Sequence, residues 1–353
     1  MEHSAGGRYP VRARGQVKER VVNARKNHIL WALLLCVSVL AGGCETGRAP
    51  EKKAGLPVIG VFLYSEDDVY VSLVSQALRT ALEGRAVVVL HHARADQIVQ
   101  NDQISEVLKQ GADALAVNLV EPYTASMPLK EAQTRKIPVV FFNREPDLST
   151  IKTYDKAAFV GTEAREAGEI QGRIIQELWR AHPRYDRNGD GIVQYVLLQG
   201  NSESPEALAR TEFSVKEARR LGVAMQQLGE TFICDWDREQ ARQAMRVFWP
   251  VHGKSVELVL SNNDSMALGA LDVLKEQGYN TGNPEKFLPV IGVDAIRKGD
   301  MSATVRQDGE GMGRAVAEML LNAVAHKDFL DGLPHTWDAS GVAVRIPYAP
   351  IRP

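Results

Sequence analysis

From Leu56 onward the chain predicts an α/β protein with parallel-rich sheets, and two observations carry that prediction. Continuous apolar runs such as Pro57-Val-Ile-Gly-Val-Phe-Leu-Tyr64 alternate with helical stretches, the pattern of strands covered on both faces. The alternation is also interrupted once in the middle and then resumes, which makes two α/β units.

The segment ahead of Leu56 reads as an address. Residues 1–28 carry Arg8, Arg12, Arg14, Lys18, Arg20, Arg25 and Lys26 and few acids, and the apolar run Ile29 to Leu40 follows. That run is shorter than the roughly 20 residues a membrane-spanning helix needs. It ends in Leu40-Ala41-Gly42-Gly43-Cys44, which resembles a lipoprotein processing site, although Ala41 stands where the usual pattern has a branched apolar residue. The expectation is a signal peptide over 1–44 ending at a lipidated Cys44, with ordinary cleavage or a retained short anchor as the competing readings. Residues 45–56 are polar and rich in helix and strand breakers, a flexible tether. Such a protein is lipid-anchored in the periplasm or cell envelope.

In the first unit the pattern predicts a strand from Pro57, a helix over Val69 to Leu82, a strand over Ala86 to Leu90 and a helix over Gln97 to Lys109. Strands at Ala112 to Val117 and Val139 to Phe142 complete it. The second unit has strands at Gln194 to Leu198, Val256 to Leu260 and Leu288 to Gly292. Ligands of open parallel sheets bind beyond the carboxyl ends of the strands. Those ends carry Asp67, Asp68, Asn143, Asn262, Asn263, Asp264 and Asp294. Any one of these is explained by helix capping or turn formation. Together, with no catalytic companion, they describe a site for a polyol.

Several function classes are excluded. The net charge of -2 offers no basic face for nucleic acid. Tyr64-Ser-Glu-Asp-Asp68, after the first strand, is acidic and would repel a pyrophosphate. No Gly-Xaa-Ser-Xaa-Gly elbow or His-Glu-Xaa-Xaa-His helix occurs, and the spacing of His91-His92 matches no zinc site. Of the three cysteines only Cys234 lies in the folded part, so no disulfide framework is available and Cys234 is expected to be structural.

Asp186-Arg-Asn188-Gly-Asp190-Gly191-Ile192-Val-Gln194 matches the first nine positions of an EF-hand loop. Oxygen side chains stand at positions one, three, five and nine, a glycine at six, and a backbone carbonyl at seven. Leu197 occupies position twelve in place of the bidentate glutamate, and no second helix follows, so a calcium sensor is excluded. A structural Ca2+ with a further carboxylate from elsewhere is the expectation.

Gln100-Asn-Asp-Gln103, Ala116-Val-Asn-Leu-Val-Glu-Pro122, Pro138-Val-Val-Phe-Phe-Asn-Arg-Glu-Pro146, Tyr154-Asp-Lys156, the calcium loop, Asn262-Asn-Asp264 and Gly292-Val-Asp-Ala295 together resemble the galactose/glucose-binding proteins of bacterial sugar import. These belong to the type I periplasmic-binding family, and the similarity covers Pro57 to Tyr348. The resemblance implies two Rossmann-like lobes joined by three crossings, near Thr162, Gln307 and Asp338. The N-terminal lobe would be 57–162 plus 308–338, and the C-terminal lobe 163–307 plus 339–351. It implies Glu257 as the missing calcium carboxylate. It also implies a hexose held by Asp68, Asn143, Arg210, Asn263 and Asp294, between the rings of Tyr70 and Trp236. Three positions depart from the family: Ser204 replaces a histidine, Glu206 an aspartate and Gln307 an asparagine, and these re-aim the contacts at one end of the sugar. The resemblance implies no enzyme, but a receptor that closes on a hexopyranose and delivers it to an ABC permease. The alternative is a lipid-anchored sensor presenting its closed form to a chemotaxis or signalling receptor. A sugar-responsive transcription regulator would need a DNA-reading helix-turn-helix where this chain has its signal segment.

Overall fold

The computed structural model describes residues 55–294 and 301–351. The signal segment, Cys44 and the tether up to residue 54 lie outside the described residues. The chain opens with β1 (Val58–Leu63), α1 (Val69–Leu82), β2 (Val87–His92), α2 (Gln97–Lys109), β3 (Ala114–Val117), α3 (Ser126–Arg135), β4 (Val139–Phe142), the one-turn α4 (Leu148–Ile151) and β5 (Ala157–Gly161). It continues with α5 (Ala164–Ala181), β6 (Ile192–Gln199), α6 (Pro205–Arg220), β7 (Ala224–Gln227), β8 (Phe232–Ile233), α7 (Arg238–His252), β9 (Leu258–Ser261), α8 (Asp264–Glu276), β10 (Val290–Val293) and β11 (Ala303–Gln307). Last come α9 (Gly309–Val324), β12 (Ala343–Arg345) and β13 (Tyr348–Ile351).

Two sheets result. The first runs β12-β5-β4-β3-β1-β2, parallel throughout. The second runs β13-β11-β10-β9-β6-β7, with β8 on β6, and only its β13–β11 pair is antiparallel. All six residues of β1 are buried, because helices cover both faces of its sheet. One face packs Val61 and Leu63 against α1 and α9 through Val74, Leu78, Met312 and Leu320. The other packs Phe62 and Leu115 against Ile104 and Leu129 of α2 and α3. The second sheet is covered by α5 and α6 on one side and by α7 and α8 on the other. Helices α5 and α6 approach so closely that a Cβ on Gly172 would lie 2.8 Å from the Ser214 carbonyl oxygen, which excludes any larger residue there.

The chain passes between sheets three times. It leaves β5 at Thr162 to enter α5, and returns after Gln307, where α9 packs on α1 of the first lobe. The third crossing corrects the boundary expected near Asp338. β12 pairs in parallel with β5, Ala343 and Val344 lie in the cores of the first lobe, and Arg345 pairs with Glu145 and Asp338. The chain therefore leaves the first lobe only at Pro347, between Ile346, whose N–H donates to the Gly161 carbonyl, and Tyr348, which pairs with Gln307.

Candidate functional site

The carboxyl ends of both sheets face one polar cavity of about 390 Å³, counting the space open to solvent at its mouth. All ten residues expected at the sugar line it: Asp68, Tyr70 and Asn143 from the first lobe, and Ser204, Glu206, Arg210, Trp236, Asn263, Asp294 and Gln307 from the second. Tyr64 and Arg144 line it as well, and the sequence reading missed them. Both stand within the strand-end segments it quoted, Tyr64 one residue past β1 and Arg144 directly after Asn143. Reading every polar or aromatic residue after a strand, instead of only Asn and Asp, would have found them.

Three cleft residues are also helix caps. Asp68 accepts from the Val71 N–H at 2.9 Å, Ser204 from that of Ala207 at 3.3 Å and Asn263 from that of Met266 at 2.9 Å, closing the first turns of α1, α6 and α8. Each cap has further hydrogen-bonding capacity. The second oxygen of Asp68 accepts from the Tyr64 hydroxyl, and Asn263 donates to the Trp236 carbonyl at 3.2 Å. Burial, reinforced by Asp68, raises the Tyr64 hydroxyl well above its ordinary pKa, so it stays a donor. The Arg144 guanidinium lies 3.6 Å over the Tyr64 ring and donates to the Val120 carbonyl. Trp236 takes φ +66°, and its indole lies where a Cβ on Gly200 would be, within 2.4 Å; only glycine at the end of β6 allows that approach.

Arg210 is the centre of the second lobe's share. Its side chain is 2% exposed. It donates to the Asn262 carbonyl at 2.8 Å, to the Gln307 amide oxygen at 3.0 Å, to the Tyr348 hydroxyl at 2.9 Å and to Glu206. Asp294 stands 3.9 Å away. Burial alone would lower the Arg210 pKa, but Glu206, Tyr348 and Asp294 outweigh it and the group remains charged. Burial pushes the Asp294 carboxyl well above the usual carboxylate range, and Asp264, Asp68 and Glu206 add to the rise against the pull of Arg210. Arg210 Nε and Gln307 Nε2 are buried donors with no partner among the described residues. A buried unmet donor is costly, so a ligand oxygen arriving in the cleft is stabilised by filling it.

The expected metal residues also come together. Asp186 accepts from the N–H groups of Gly189 and Gly191, Asn188 from that of Asp190, and Asp190 from that of Ile192. Glu257, 1% exposed, accepts from the Arg187 and Gln194 N–H groups, so it closes the loop from the start of β9. Burial raises its pKa. Gln194 donates to Asp190 at 2.7 Å and leaves its own amide oxygen buried and unpartnered. Among the described residues no three acidic, His or Cys side chains form a metal cluster by themselves. The loop's oxygens are a mixture of carboxylate, amide and carbonyl, the mixture calcium takes, and the orphaned Gln194 oxygen fits a cation.

His91 stacks on Phe62 with ring centroids 5.6 Å apart. Cys234 is buried, with its thiol pushed up to about 12 by burial and then by Asp235 and Asp237, which keeps it unreactive.

Two α/β lobes with three crossings around a polar cleft are the architecture of a solute-binding protein. The chain belongs to the periplasmic binding protein family, whose domain model matches residues 59–328, and like its homologues it is not an enzyme. It is 35% identical over 325 residues to the D-galactose/methyl-galactoside binding periplasmic protein MglB of Haemophilus influenzae, covering 88% of this chain and 94% of that one. The ABC transporter solute-binding protein of Actinobacillus succinogenes with bound D-allose superposes with a TM-score of 0.70 at 15% identity, over 84% of this chain and 97% of that one. The solute-binding protein of Bacillus halodurans with bound myo-inositol gives 0.68 at 22%, over 86% and 96%.

The raised Asp294 pKa has a testable sign. An acid whose folded-state pKa lies above its unfolded value costs stability as pH rises from the unfolded pKa, near 3.9, toward the folded one. Asp294→Asn removes that cost, so its urea midpoint relative to the native chain should climb between pH 4 and pH 7. A difference independent of pH would show that Asp294 ionises normally.

Proposed function

We propose that the protein binds a hexopyranose of the galactose or glucose type in this cleft and delivers it to an ABC permease from the periplasm. The observation that carries the reading is the pair of buried unmet donors, Arg210 Nε and Gln307 Nε2, in a cleft that also presents Asp68, Glu206 and Asp294. Donors without acceptors and carboxylates with spare lone pairs suit a ligand whose hydroxyls both donate and accept. Tyr70 and Trp236 supply flat faces for the C–H surfaces of a pyranose ring. The similarity to a galactose-binding relative supports the sugar class. The D-allose and myo-inositol ligands of the structural neighbours set the range of rings to test.

Ser204, Glu206 and Gln307 set the specificity. Serine is short and used as a cap, so the end of the cleft beside it has more room than a histidine would leave. Glu206 reaches past the ligand side to Arg210 and Tyr348, which fixes it as an acceptor.

A Ca2+ held by Asp186, Asn188, Asp190, the Ile192 carbonyl, Gln194 and Glu257 rigidifies the loop. It would supply the positive charge that the buried Gln194 and Glu257 oxygens, the half-buried Asp186 carboxylate and the exposed Asp190 carboxylate lack, and tie the start of β6 to the start of β9. Lipid on Cys44 anchors the protein; among the described residues no helix is long and apolar enough to cross a membrane.

Calorimetric titration with D-galactose, D-glucose, D-allose, D-xylose and myo-inositol tests the binding. Galactose or glucose should bind tightest, and heat from myo-inositol alone would replace the hexopyranose with a cyclitol. A calcium excess of about a hundredfold over Kd should raise Tm by about 4 °C, and Gln194→Ala should shrink the rise; no change with chelator would remove the ion. Metabolic labelling with a palmitate analogue should tag the native chain and not Cys44→Ser, and a native chain that takes up no label would rule out the lipid.

A further inference from the structure

The Tyr348 hydroxyl lies where the cleft meets the crossings. Tyr348 is 6% exposed and belongs to the core under the second sheet. Three groups surround its oxygen: Thr162 Oγ1 at 2.8 Å, Arg210 Nη2 at 2.9 Å and Glu206 Oε1 at 3.1 Å. A guanidinium only donates, a carboxylate only accepts, and a phenol has one hydrogen and two lone pairs. Tyr348 therefore gives its hydrogen to Glu206 and accepts from Arg210, which leaves one lone pair for the Thr162 hydroxyl hydrogen. The full capacity of the phenol is used by two different parts of the fold, α6 through Glu206 and Arg210 and the first crossing through Thr162.

Those parts are not equivalent. Glu206 and Arg210 line the cleft. Thr162 is the first residue past β5, at the first crossing, and its carbonyl accepts from Arg345 Nη1 at 3.0 Å. Arg345 is itself held by Glu145 and Asp338 of the first lobe. So the backbone of the first crossing is gripped from one lobe and its side chain from the other. Gln307, opposite Tyr348 in the β11–β13 register, brings the second crossing to the same guanidinium.

We propose that Tyr348 is a positioning residue whose hydroxyl couples the Arg210–Glu206 pair in the cleft to the first crossing at Thr162. The orientation of the pair and the angle between the lobes then change together. This deepens the solute-binding reading and rests on it. Neither Thr162 nor Tyr348 lines the cleft, and loss of the Thr162 hydroxyl alone leaves its carbonyl bond to Arg345 in place, so that loss acts on the ligand through Tyr348.

The test uses the full-length chain in detergent, with calcium present, and the near-isosteric variants Thr162→Val, Thr162→Ser and Tyr348→Phe. Calorimetry with D-galactose and D-glucose should show Thr162→Val weakening both by one common factor, about threefold to tenfold, the range open to one lost hydrogen bond. The factor is common because the competent lobe angle is a prerequisite shared by every ligand. Thr162→Ser, which keeps the hydroxyl, should bind as the native chain does. Added to Tyr348→Phe, Thr162→Val should have no further effect, since the coupling is already cut. Unchanged affinity in Thr162→Val, or effects of the two variants that multiply, would overturn the proposal. Hydrogen exchange without sugar separates the two readings: Tyr348→Phe should speed exchange over residues 162–166. If no sugar gives heat in any variant, the solute reading fails, while the exchange result still decides whether the hydroxyl restrains the crossing.

Discussion

A guanidinium taken almost wholly out of water dictates much of the second lobe. Isolated, such a charge would cost several kcal/mol. The structure offsets that cost by bringing three distant segments to Arg210, the end of β9 through the Asn262 carbonyl, the end of β11 through Gln307 and β13 through Tyr348, beside Glu206 in the first turn of its own helix α6. That set is complete only if β13 lies beside β11 and the helix after β6 returns over the sheet. The same partners define one wall of the cleft and the inner side of two crossings. Packing, recognition and hinge geometry thus share one ion.

Around that ion, the parallel sheets do the positioning. Where β1, β6 and β9 give way to α1, α6 and α8, the residue before each helix satisfies an orphan N–H of its first turn. Asp68, Ser204 and Asn263 do this while facing the cavity, so their rotamers are fixed before any ligand arrives. A site preset in this way loses little side-chain entropy on binding. The capping and binding readings of these residues, which compete when the sequence is considered alone, are both true of the same atoms.

What the sequence made legible follows the same division. Strand patterns with both faces apolar, such as Val58 to Leu63 and Val139 to Phe142, are set by local chemistry and emerge where expected. The polar strand ends announced the cleft, because parallel topology forces those ends together. The third crossing was not legible: Ala343 to Arg345 is three residues long and becomes a strand only because β5 offers it an unpaired edge. Arg144 was missed because only Asn and Asp were read at the strand ends, while the Tyr64 ring beneath its guanidinium is a contact that no spacing encodes. Tyr348 reads in the sequence as one more core aromatic. Its chemistry lies in Thr162 and Glu206, 186 and 142 residues away.

The late crossing at Pro347 makes one short segment responsible for an edge of both sheets. β12 is an edge strand of the first sheet and β13 an edge strand of the second, and both come from the last residues the structure describes. Until they arrive, β5 and β11 each keep an open edge, and neither lobe is finished. Residues 343–351 therefore close one edge of each sheet. A single cut ahead of them would leave two unpaired edges, one on each lobe, open to pairing with another chain.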